Sequence, residues 1–172
     1  MADVEATLVE AFRHRLFQLM HKHNDLVDAI DEAEAQRLGR QAAEAAVAPV
    51  LWRQQVGDVW DTETVREFLS ISRQALYKRV RSGSVIGLPG RGTTLFPVWQ
   101  FDLAAQRVRP AVADVVEAFR ARLDDLDAHL VASWARTDQP ELGMTPEEWL
   151  VSGKDPDQVV AVARHAARDL AA

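Results

Sequence analysis

The chain contains no cysteine, so disulfide bonds, thiolate zinc sites and thiol redox chemistry are all excluded. No apolar run approaches the roughly 20 residues that a membrane-spanning helix needs, and the first residues show no signal-peptide pattern. A soluble cytoplasmic protein that stays off the membrane is the expectation. No phosphate loop, no G-x-S-x-G turn and no H-E-x-x-H pair is present, so no catalytic residue and no cofactor are expected. His14, His21 and His23 cluster near the start, but His21 and His23 are two apart and fall on different helix faces. No carboxylate completes a ligand set, so no metal is expected. The glycines Gly87, Gly90 and Gly92 have no helix directly behind them, which argues against a nucleotide loop.

What is present is ample material for folding. Of 172 residues, 48% are hydrophobic, enough for one good core or two small domains. The net charge is -6, but it is unevenly spread. Residues 1–60 carry -4, residues 61–97 carry +3 and residues 98–172 carry -5. A basic island between acidic flanks points to one confined contact surface for nucleic acid.

That island holds a helix-turn-helix pattern. Asp61 or Thr62 can cap a short helix bearing Val65, Phe68 and Leu69. Ser70 and Ile71 then turn tightly into a second helix, from the N-cap Ser72 to the C-terminal Gly83. Ala75, Leu76 and Val80 face inward on this helix. Arg73, Gln74, Tyr77, Lys78 and Arg81 are left outside, offering cations for phosphates and groups able to read base edges. Two apolar runs then flank the segment from Pro89 to Gly92, predicting a hairpin with a glycine-rich turn. Such a hairpin is a wing, with Arg91 at its tip to reach a phosphate or the minor groove. Double-stranded DNA is the expected partner. So few cations per chain imply weak binding by a monomer and two half-sites for a dimer.

From Val4 to Leu38 there is neither proline nor glycine, and apolar residues recur at Leu8, Phe12, Leu16 and Leu19, then at Leu26, Ile30 and Ala33. The spacing predicts one long helix, softened at Gly39 and resumed from Ala42 to Val47 before Pro49. Two readings fit: a homodimerising helix or hairpin through Leu16, Leu19, Leu26 and Ile30, or an amphipathic helix packed on its own domain. After the hairpin, Pro110 opens a helix whose apolar face runs through Val112, Phe119, Leu126 and Val131 to Trp134. Asp124, Asp125 and Asp127 are placed on its outer, solvated side. A loop follows from Thr137 to Gly143. Thr145 and Glu148 then form a capping box around Pro146, for a helix that carries Trp149 and Leu150 and stops at Gly153. Asp155 and Pro156 start the last helix, with Val159, Val162, Ala163, Ala166 and Leu170 inside.

The whole reads as a mainly α fold in three parts: a helical region at 1–58, a winged helix-turn-helix at 59–102 and a helical module at 103–172. Pro97, Gln100, Phe101 and Asp102 match a P-x-x-Q-F-D linker, and Leu142, Gly143, Pro146, Leu150 and Gly153 follow with family-like spacing. Over residues 60–172 the chain resembles the Xre/MbcA/ParS-type antitoxins. The resemblance implies a regulator that represses its own operon and neutralises a RES-domain toxin. Trp134, Trp149, Arg164 and Arg168 would contact that partner. The chain departs from the family in its DNA reader, which is closer to the winged helix of MerR and excisionase proteins. A toxin-free DNA-binding regulator or nucleoid-associated protein is the alternative, and an adaptor whose helix-turn-helix has lost DNA is a third.

Overall fold

A computed structural model describes residues 3–23, 30–90 and 92–171. It is mainly helical, with a small antiparallel strand region in the middle. None of its helices, among the described residues, is long and apolar enough to cross a membrane. The residues up to Pro49 form one compact unit and those from Val50 onward form another.

In the first unit, α1 (Val4–Lys22) starts at Asp3, whose carboxylate accepts from the Glu5 and Ala6 N–H groups. It ends at His23, and Leu26 lies outside the described residues. The expected single helix from Val4 to Leu38 is not continuous. Ile30 and Asp31 are non-helical, and Asp31 caps a new helix by accepting from Glu34 N–H at 2.8 Å. This α2 (Glu32–Val56) runs through Gly39 without a break, and through Pro49, before which a stop was expected. Proline deletes one helical hydrogen bond and crowds the preceding turn. Here the turn beyond it is held by packing: Val56 is fully buried, and Trp52 meets the His129 ring edge-on at 6.2 Å.

The second unit continues with β1 (Val59–Trp60), α3 (Thr62–Leu69), α4 (Arg73–Ser82), β2 (Leu88–Pro89) and β3 (Thr94–Pro97). The sheet order is β1-β3-β2, all antiparallel, with Trp60 opposite Phe96 and Leu88 opposite Leu95. Val65, Leu76, Val85, Phe96 and Phe101 form the core beneath the two helices. Trp60 stacks on Phe101 at 5.1 Å and Phe68 closes the cluster.

A 3-10 turn (Val98–Gln100) leads to a two-stranded ribbon, β4 (Phe101–Asp102) with β5 (Arg107–Val108). Four helices follow: α5 (Ala111–Arg120), α6 (Ala128–Trp134), α7 (Pro146–Val151) and α8 (Pro156–Leu170). The helix expected from Pro110 to Trp134 is broken in two. Asp124 and Asp125 lie in the break, not on a helix face, and Asp127 caps α6 by accepting from His129 N–H at 2.9 Å. Aspartate competes for backbone donors and favours helix starts over interiors, which explains the interruption. On α8 the inner face is Val159, Val160, Val162, Ala163 and Ala167. Ala166 is half-buried, while Leu170, expected inside, lies one turn past the last buried residue and is exposed.

The second core is shared. Ile86, Leu88 and Trp99 from the central segment join Val112, Phe119, Val131, Val159 and Ala163 from the last four helices. Arg109 ties them further, donating to the carbonyls of Trp99 and Leu150 at 3.0 Å each.

Candidate nucleic-acid interface

The two helices of the helix-turn-helix are set by their ends. Asp61 caps α3, accepting from Thr64 N–H at 2.8 Å. That hydrogen bond, chiefly from the Thr64 backbone, holds the Asp61 carboxyl below its usual range. Ser70 then adopts a left-handed conformation (φ 53°) and closes the helix with its N–H on Glu67, while Ile71 N–H returns to Arg66. Two residues on, the Ser72 hydroxyl accepts from Ala75 N–H at 3.2 Å and begins α4. Gly83 ends it at φ 80°, a conformation that glycine adopts without a side-chain clash. A Cβ there would also meet Arg120 Nη1 at 2.5 Å and Val116 Cγ1 at 2.8 Å.

These caps fix which side of α4 is free. Leu76 is buried, and Ala75 and Val80 are half-buried. Arg73, Gln74, Tyr77, Lys78 and Arg81 are all exposed, the side chains expected outside. Gln74, Tyr77, Lys78 and Arg81 are spaced i, i+3, i+4, i+7 and so share one face. Arg79 is exposed too, at the flank, and was missed by sequence reasoning. None of the four cations on α4 is ion-paired to a described residue, so each is available to an outside anion. Arg81 lies 5.9 Å over the Tyr77 ring, which steadies both exposed side chains.

The hairpin β2–β3 stands beside α4. Its turn is closed by Gly90 N–H on the Thr93 carbonyl at 2.8 Å, and Gly92 takes a positive φ of 76°. Arg91, the expected tip contact, lies outside the described residues. An open cleft of about 470 Å³ separates hairpin from helix, with Arg73, Tyr77, Thr62 and Thr93 on its walls.

Gln100 holds the base of this hairpin. It is fully buried. Its Oε1 accepts from Ile86 N–H at 2.7 Å, and its Nε2 donates to the carbonyls of Ile86 at 2.9 Å and Pro97 at 3.0 Å. The strand leading into the wing and the turn leaving it are thereby locked together. Sequence reasoning quoted this glutamine within a motif and assigned it no part in the site. The signal was there: a glutamine flanked by aromatics at Trp99 and Phe101.

The residues expected to grip a protein partner divide. Trp134 is buried edge-on against Phe119 at 5.3 Å, so it packs the core and is not free to contact anything else. Trp149 is half-buried, donates to the Asp155 carbonyl at 2.8 Å and lies under Lys154. Arg164 and Arg168 are exposed, and with Arg122, Asp114 and Glu117 they line a cleft of about 300 Å³ between α5 and α8.

Comparison with protein-family models, with curated proteins and with solved structures gives no match to this chain.

Proposed function

We propose that the chain is a DNA-binding transcription regulator. In this reading α4 enters the major groove and the β2–β3 hairpin acts as a wing. The observation that carries it is the face of α4, where Gln74, Tyr77, Lys78 and Arg81 stand exposed, with no acidic partner among the described residues, in the one segment of positive net charge. Lys78 and Arg81 would neutralise phosphates. Gln74 and Arg73, near the start of the helix, would meet base edges. The experiment is a mobility shift of the full chain on genomic and random-sequence duplexes. Retention of duplex at low salt is expected, and no shift on any duplex would overturn the reading.

A second reading adds a protein partner, and the cleft lined by Arg122, Arg164 and Arg168 favours it. The antitoxin resemblance would place a RES-domain toxin there. Recovery of an adjacent gene's product on the parent chain, and its loss on Arg164→Glu/Arg168→Glu, is the expected result. Equal recovery on both would leave a toxin-free regulator.

A further inference from the structure

Helix α1 has 19 residues, and no described residue on it is buried. Its apolar side chains are nevertheless organised. Leu8, Phe12, Leu16 and Leu19 follow one another at helical spacing on one side, while Val4 and Met20 fall at its opposite edges. The exposures of these four run from 42% at Leu19 to 51% at Leu8. Most of a helix's stability in a protein comes from packing an amphipathic face, and a continuous apolar stripe of this size marks a contact surface.

The charges say what covers it. Asp3, Glu5 and Glu10 all precede Phe12, while Arg13, Arg15 and Lys22 all follow it. The acid half and the basic half are thus separated about the midpoint of the helix. Two copies laid parallel would set like charge against like. Two copies laid antiparallel set acid against base at both ends and oppose their helix dipoles.

We propose that a second copy of this chain covers the stripe, with α1 lying antiparallel on the partner's α1. The charge midpoint sets the register: Phe12 crosses its own counterpart, and Leu8 lies opposite the partner's Leu16. Of the residues expected at the interface, Leu16 and Leu19 belong to this stripe. Ile30 is exposed but lies beyond α1.

The absence of native cysteine makes the test clean. Full-length chains carrying Phe12→Cys, Leu8→Cys or Leu16→Cys are oxidised alone and in mixtures, and the parent is sedimented at micromolar concentration. The parent is expected at twice 19.2 kDa. Phe12→Cys should cross-link to itself. Leu8→Cys and Leu16→Cys should each cross-link poorly alone, and to each other several-fold better when mixed. Self-linking of Leu8→Cys as strong as that of Phe12→Cys would mean parallel pairing and overturn the proposal. So would absence of the mixed product, or a parent that sediments at the single-chain mass.

Discussion

Replacing Gln100 by alanine strands the N–H and the carbonyl of Ile86 in the interior, together with the Pro97 carbonyl. Buried groups left unpaired cost about 1–3 kcal/mol each, so a loss of about 3 kcal/mol is expected as a lower urea midpoint at unchanged slope. DNA affinity should fall with it, because the hairpin base loosens. A stability within about 0.5 kcal/mol of the parent's would show that the glutamine is not what fixes the wing. At this scale the exposed face of α4 was legible, because Ser72 and Gly83 fix where the helix starts and stops and therefore how it is turned. Gln100 was not, because a glutamine in a linker reads as a surface residue until the strand opposite is known. Trp134 misled for the same kind of reason: a tryptophan at a helix end looks like a contact until Phe119 is seen to cover it.

Among the elements, α7 offers a test through its capping box. Thr145 Oγ accepts from Glu148 N–H at 3.1 Å, and Glu148 Oε2 accepts from Thr145 N–H and hydroxyl at 3.0 Å each. These bonds, the backbone one first, hold the Glu148 carboxyl below its ordinary value of 4.5. A lowered folded value means stability that is present above pH 4.5 and is lost as pH falls through the folded value. Glu148→Gln should therefore flatten the acid limb of thermal unfolding from about pH 5 down to the folded value, while leaving its shape at neutral pH unchanged. An acid limb identical to the parent's would remove the carboxylate from the account. This box was legible because its partners are three residues apart. The break between α5 and α6 was less so: Asp124, Asp125 and Asp127 suit a helix surface as well as a helix start, and only the packing of Leu126 and Leu123 against the core decides. Passage of α2 through Pro49 was not legible at all, since the burial of Val56 that sustains it is long-range.

Over the whole molecule the central helix-turn-helix segment and the last four helices share a core, with Ile86, Leu88 and Trp99 packed among residues of α5 to α8. A mainly α fold with a small strand region was legible from periodicity and turn residues, whereas this sharing was not, because nothing local announces which apolar faces meet. Charge is the other whole-molecule property. In an acidic chain at -6 the one positive stretch of the three carries α4, so on the proposed reading binding of a polyanion should pass through α4 and weaken with salt. The most direct measurement is fluorescence anisotropy of a labelled duplex, titrated with the full chain at a series of salt concentrations. Parent and Lys78→Ala/Arg81→Ala are compared. Each phosphate that a cation no longer neutralises reduces the slope of log affinity against log salt by about 0.9, so the variant is expected to bind more weakly with a slope shallower by about 2 per chain. A variant with the parent's affinity and the parent's slope would contradict the assignment of α4 as the DNA-reading helix.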